Sequence, residues 1–271
     1  MRGISPSPIA YLPLTTKHSQ FLLEPLTKSV WRFVPLIDAP GQVQMAIDTW
    51  LLEQHRLGLQ PSVLRFYTWS PPAISLGYHQ RYWPQSWQSL VWQNSFIDLV
   101  RRPTGGRAVL HQGDLTYAVV TSGIAGNRTQ VYETLCEFLI QGWRSLGVEL
   151  TYGQAGRDYI HNPNCFGLAT KADLILPNGF KLIGSAQLRR GMTILQHGSM
   201  RLEPDLALFN QVFGTCLETI QAPLALEKGL IATVIQALQA AICSCFNIQL
   251  RIQPLSDLEY QMALAQTQLV I

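Results

Sequence analysis

The 271-residue sequence holds no uninterrupted apolar run near the roughly 18–20 residues of a membrane-spanning helix, because Gly, Arg or Gln breaks each stretch; no membrane association is expected. Charge is scarce. Charged residues make up 14% of the chain, against roughly 25% in typical soluble domains. With 20 Lys and Arg against 17 Asp and Glu the net charge is +3, too mild to argue for nucleic-acid binding, so any basic function has to be local. The first 30 residues lack a basic stretch leading into an apolar core and a small-residue cleavage site, and Pro6, Pro8, Pro13 and Pro25 interrupt them, so no secretory signal is expected. The five cysteines (Cys136, Cys165, Cys216, Cys243, Cys245) form an odd set with no CxxC pair and no His at metal-ligand spacing, which points to free thiols in a reducing cytoplasm and to no metal site. A GxxxxGK[ST] loop, a GxGxxG turn after a strand, a GxSxG elbow and an HExxH helix are all missing.

What is present is a sheet-rich core. Hydrophobic residues reach 47% and aromatics 10%, ample for a large domain. Val43, Ala46, Ile47, Trp50 and Leu51 share one face at helical spacing from Gly41 to about His55. The β-branched and aromatic runs Val63–Trp69 and Ala73–Leu76 read as two paired strands, and further strands are expected at 96–101, 108–111 and 115–122. A helix from about Gln130 to Leu146 carries Val131, Leu135, Phe138, Leu139 and Trp143 on one face and stops at Gly147. A strand at 148–152 leads to an irregular stretch, 153–167, long enough to suggest a functional loop. Runs at 173–176 and 180–188 flank Pro177-Asn178-Gly179 and make the clearest hairpin. A strand at 193–202, a helix near 226–246, a strand at 248–252 and a helix from Ser256 complete an α/β chain of the α+β type. A single domain with a mixed β-sheet flanked by helices is expected.

Three segments concentrate chemistry. Arg101-Arg102-Pro103-Thr104-Gly105-Gly106-Arg107 lies between two predicted strands and leads to His111; its Gly-Gly turn lets backbone N–H groups approach a ligand, and its arginines suit an anion. Gly184-Ser185-Ala186 on the second hairpin strand leaves room beside the backbone, and strict alternation places Lys181 and Ser185 on one face with Gly184 on the other. Cys165 stands in a polar loop, unlike Cys136, Cys243 and Cys245 on apolar helices, and a nearby cation such as Lys181 would stabilise its thiolate. His111 and His197 have no third ligand at regular spacing and read as hydrogen-bonding residues.

Taken in order, RRPTGGRAVLH, NCF and FKLIGSAQLRRGMTILQHGS resemble the biotin/lipoate A/B protein ligase superfamily, with the closest likeness to its single-domain octanoyltransferases, over roughly residues 31–253. The resemblance implies a lipoate-ligase-like catalytic domain at 31–253, preceded by an extension of unknown role (1–30) and followed by a C-terminal helix or tail (254–271). It implies an acyltransferase that needs no cofactor and moves octanoyl from octanoyl-acyl carrier protein to a lysine of a lipoyl domain such as glycine cleavage H protein. Matched to the family's motifs, Cys165 is the acyl-thioester nucleophile and Lys181 the lysine that depresses its pKa. Arg102, Thr104, Gly105, Gly106, Arg107 and His111 form a substrate cradle, with Gly184, Ser185 and Ala186 as the opposite wall. Arg107 stands where the ligase branch carries a third glycine, in line with the transferase branch, whereas the loop after Cys165 departs from the family pattern. Other functions the sequence leaves open are an ATP-dependent lipoate-protein ligase, a transferase between lipoyl domains, and an inactive lipoyl-domain binding protein.

Overall fold

A computed structural model describes residues 28–153, 173–214 and 229–267. Along the chain come β1 (Ser29–Ala39), α1 (Gly41–Arg56), β2 (Val63–Trp69), β3 (Ala73–Leu76), a short 3-10 turn, β4 (Val91–Trp92), β5 (Ser95–Phe96), β6 (Asp98–Arg101), β7 (Val109–His111) and β8 (Asp114–Ser122). There follow α2 (Arg128–Ser145), β9 (Thr151–Tyr152), β10 (Asp173–Ile175), β11 (Lys181–Arg190), β12 (Thr193–Arg201), α3 (Leu206–Phe213), α4 (Leu230–Phe246), β13 (Ile248–Ile252) and α5 (Asp257–Thr267). Eight strands form one mixed sheet in the order β13-β1-β2-β8-β12-β11-β10-β9, with β1 parallel to both β13 and β2 and the other pairs antiparallel.

Helices cover both faces of this sheet, as a chain with two apolar sheet faces requires. On one face α2 buries Val131, Leu135, Phe138, Leu139 and Trp143 beside Val234, Leu238 and Ile242 of α4, each such burial contributing roughly 1.5–3 kcal/mol. The helix starts where Asn127 accepts from Gln130 N–H while the Gln130 side chain returns to Asn127 N–H, a reciprocal cap. On the other face α1 lays Ile47, Trp50 and Leu51 over β2 and β8, and Tyr260 and Ala263 of α5 join that cluster. A bidentate pair binds α5 to the sheet: Arg32 in β1, its side chain 0% exposed, donates to both carboxylate oxygens of Glu259 at 2.7 and 2.8 Å.

Several expectations are corrected. The runs at 63–69 and 73–76 are strands but do not pair with each other: β2 lies between β1 and β8, while β3 joins β6 and β7 in a separate three-stranded sheet. The link between them is Ser70-Pro71-Pro72, with a cis Ser70–Pro71 peptide, and two successive prolines supply no N–H to a hairpin ladder. The strand expected at 96–101 is divided between β5 and β6, and only 151–152 of the stretch at 148–152 pairs. The hairpin of β10 and β11 forms, with Gly179 at φ +86°, but its register shifts between Leu174 and Ile175 so that Ile175 faces Lys181. The shift breaks the alternation. Lys181 lies against Gly184 and opposite in phase to Ser185, which instead shares its side of the sheet with Tyr117.

Candidate active site

The two sheets meet over a pocket of about 650 Å³ including its open mouth, of which about 90 Å³ admits the centre of a water-sized body. Met45 of α1, Trp69 of β2 and Ser75 of β3 form its floor with His111 and Thr116, the turn at 102–106 forms one wall, and Asp173 with Gly184–Ala186 forms the other. The turn and the small-residue strand, 78 positions apart from Gly106 to Gly184, are therefore brought face to face.

The turn is held by its own arginine. Arg102 is 6% exposed and donates to the carbonyls of Ser75 (2.8 Å), Gly105 (2.9 Å) and Arg107 (2.7 Å) and to the Ser75 hydroxyl (3.1 Å). With Nε also donating to Gly105 O at 3.3 Å, all five N–H groups of the guanidinium have a main-chain or hydroxyl acceptor. Arg101 donates to the carbonyls of Gly77 and Gln80, both at 2.8 Å, and stacks over Trp83. The fixed positive charge expected here for an anionic ligand is thus turned inward on the backbone by two of the three arginines, and the third, Arg107, is half-buried. Gly106 adopts φ +102°, and its carbonyl oxygen occupies the space that a Cβ on Gly77 would need, so both glycines are required for the turn to seat on β3. A Cβ on Gly105 would meet nothing within 4 Å, which leaves its backbone open to the pocket.

Two carboxylate–imidazole–hydroxyl chains brace the floor. Asp114 accepts from His111 Nδ1 at 2.9 Å, from Thr116 at 3.1 Å and from Ser199 at 2.6 Å, and His111 Nε2 then accepts the Ser75 hydroxyl at 2.8 Å. Burial pulls the His111 pKa below its ordinary value despite the adjacent carboxylate, so the ring is neutral at pH 7. It stacks on Trp69 at 3.8 Å. In the second chain Asp48, inside α1, accepts from Arg65 and Tyr67 (both 2.9 Å) and from His197 Nδ1 (2.8 Å), while His197 Nε2 meets the Thr104 hydroxyl at 2.7 Å. Thr104 is thereby fixed from behind, and its carbonyl accepts from Tyr78 N–H at 2.8 Å. Both histidines hold hydrogen bonds, as the sequence suggests, and their partners are Asp48 and Thr104 for His197 and Asp114 and Ser75 for His111. An Asp within the apolar stripe of α1 was the available signal for the first.

Lys181 is buried, 4% exposed, and its Nζ lies 2.9 Å from Asp173 Oδ1. A Cβ added to Gly184 would stand 2.9 Å from Lys181 Cε and 3.3 Å from Nζ, so the glycine is what lets the lysine reach the pocket wall. Ser185 Oγ meets Tyr117 Oη at 2.8 Å, and Gly198 leaves the space for that contact. Cys165 falls outside the described residues. Of the described thiols, Cys136 is buried and pushed up to about 12 by desolvation, and partial burial raises Cys245, so neither is a thiolate at neutral pH.

A family model described as the lipoyl protein ligase A/B catalytic domain matches residues 40–227. Among similar proteins, Octanoyltransferase LipM of Halalkalibacterium halodurans is 35% identical over 186 residues, 65% of this chain and 67% of the relative. Octanoyltransferase LipM of Bacillus subtilis is 35% identical over 191 residues, 66% of this chain and 68% of the relative. Among solved structures, lipoate-protein ligase A bound with ATP gives a TM-score of 0.70 at 23% identity, covering 88% of this chain and 94% of that one. The bi-partite lipoate protein ligase of Thermoplasma acidophilum gives 0.68 at 22%, covering 89% and 92%. At such identities the structural likeness speaks for the fold, a mixed sheet with helices on both faces. With the matched domain running through most of the described core and carrying both walls of the pocket, the chain belongs to the lipoyl protein ligase A/B catalytic-domain family.

Proposed function

We propose that the protein is an octanoyltransferase of protein lipoylation, taking octanoyl from octanoyl-acyl carrier protein and passing it to a lysine of a lipoyl domain such as glycine cleavage H protein. The observation that carries this reading is the pocket itself: an open Gly105–Gly106 turn faces a Gly184–Ala186 wall with a buried lysine beneath it. The printed names of the LipM relatives support the same chemistry. Burying the six methylenes of an octanoyl chain would contribute roughly 5 kcal/mol, enough to select length through pocket depth.

The reaction proceeds in two steps. The Cys165 thiolate, stabilised by the Lys181 ammonium, adds to the donor thioester carbonyl, and the oxyanion is held by backbone N–H groups of the Gly105–Gly106 turn. The carrier thiolate leaves and takes up a proton, so one thioester replaces another at nearly equal free energy. The acceptor amine then attacks, an amide forms, the Cys165 thiolate is released and the amine's proton passes to solvent; the amide makes the sequence downhill without ATP. In this scheme Arg102, Thr104 and His111 keep the turn seated, Arg107 caps it in place of a third glycine, and Gly184, Ser185 and Ala186 give the acyl group room. A free nucleophilic thiol suits the reducing cytoplasm. No described helix is long and apolar enough to cross a membrane.

The decisive experiment incubates the protein with octanoyl-acyl carrier protein without ATP and maps any octanoyl adduct by intact and peptide mass spectrometry. An adduct on Cys165 that chases onto the lipoyl domain is expected. Undiminished transfer by Cys165→Ala would end the covalent scheme, and transfer that appears only with ATP and free acid would mark a ligase instead.

A further inference from the structure

Beside the pocket runs a wider, open groove of about 1670 Å³ including its solvent-facing side, and Gly105, Ser185 and Ala186 line both, so the groove leads into the pocket mouth. Its described lining includes Arg128, Arg189, Arg190 and His79 and no carboxylate, on a chain whose net charge is only +3. Three arginines therefore lie together here, of which Arg190 is also 3.5 Å from Glu53 Oε2. Arg128 is the first residue of α2, whose first turn holds no acid, and an exposed cation at the positive end of a helix dipole opposes local stability. It makes no ion pair or hydrogen bond among the described residues, so its guanidinium is available to an acidic partner.

Arg189 is placed with more care. Its Nε donates to Gln187 Oε1 at 2.9 Å, Gln187 donates to Gln196 at 3.0 Å, and Gln196 donates to Tyr117 at 3.2 Å, a line of amides that fixes the guanidinium along the groove. Arg189 is half-buried and lines the groove close to where it opens into the pocket. The planar guanidinium of a residue held in this way suits a phosphate oxygen. A phosphopantetheine arm carries a phosphodiester between its thioester and its protein, whereas an acceptor lysine carries none.

We propose that this groove is the docking surface of the acyl donor, an acidic carrier protein. Arg128 and Arg190 meet its acidic face, and Arg189 binds the phosphodiester of its arm as the thioester enters the pocket past Gly105 and Ala186. The assignment rests on the octanoyl-transfer reading and is tested apart from it by binding. Affinity is measured for a carrier bearing octanoyl through a hydrolysis-proof amide, for the carrier without its arm, and for a lipoyl domain. The Arg128→Glu/Arg190→Glu double variant is expected to bind both carrier forms at least tenfold more weakly at low salt and to show a shallower salt dependence. Arg189→Gln is expected to weaken the armed carrier about tenfold and the armless carrier less than twofold, with Arg189→Lys recovering part of the loss. Because an acid in the first turn of α2 favours the helix and the exposed Arg190–Glu53 pair at 3.5 Å contributes little, the double variant should not lower Tm by more than a few degrees, so lost binding would not reflect lost fold. Unchanged carrier affinity in the double variant, equal effects of Arg189→Gln on both carrier forms, or a loss confined to the lipoyl domain each overturns the assignment. Intact carrier binding by a wild-type protein that transfers no octanoyl would instead defeat the octanoyl-transfer reading and leave the docking surface standing.

Discussion

At the scale of single residues the site is arranged by what is left out. Gly184 supports no strained backbone; it leaves a space into which Lys181 extends. Gly184→Ala should therefore lower kcat for octanoyl transfer by about a hundredfold through displacement of the ammonium, and lower Tm by a few degrees because that ammonium is buried against Asp173. A fall in Tm of many degrees with kcat preserved would contradict this. Such roles were only partly legible beforehand. The Gly-Gly turn, the small-residue strand and Lys181 stand out in the sequence because their composition is locally unusual. That Arg102 would direct its N–H groups at three carbonyls and a hydroxyl, or that Asp48 would reach His197 across 149 positions, was not readable, since these partners meet only after the sheet closes.

At the scale of elements, short-range rules served best where a pattern was self-contained. The amphipathic face of α2 and the Pro-Asn-Gly hairpin emerged as expected, while β3 found its partners in β6 and β7 because two prolines forbade the nearer one. The bulge opposite Ile175 had no local signal, and it alone reversed the facing of Lys181. The docking of α5 is pH-sensitive. The Arg32 guanidinium holds the Glu259 carboxyl down at about 2, against an ordinary value near 4.5. A depressed carboxylate stabilises the fold fully above its unfolded value and loses that contribution as pH falls from about 4.5 towards 2. The stability difference between wild type and Glu259→Gln, measured by urea unfolding, should be about 1–3 kcal/mol at pH 7 and shrink steadily below pH 4.5. A difference independent of pH would show that the pair contributes through packing alone.

On the scale of the whole molecule, the C-terminal segment is bound into the core. Arg32, fully buried, donates to the carbonyls of Gln253 and Pro254 as well as to Glu259, and Ala263 packs with the α1 cluster. Deleting residues 253–271 would strand a buried guanidinium, costing about 3–5 kcal/mol and lowering Tm by on the order of 10 °C. A truncated chain that melts with the full-length protein would refute this coupling. The pocket is equally global, since its walls run from Met45 to Ser199 and exist only when both sheets are assembled. Any occupant therefore opposes unfolding of the entire domain, by about 2.7 kcal/mol when a non-reactive acyl amide is present at a hundredfold excess over its Kd. Melting curves taken with amides of six to twelve carbons would rank fatty-chain preference as a series of temperature offsets, with no donor, no acceptor and no turnover in the tube.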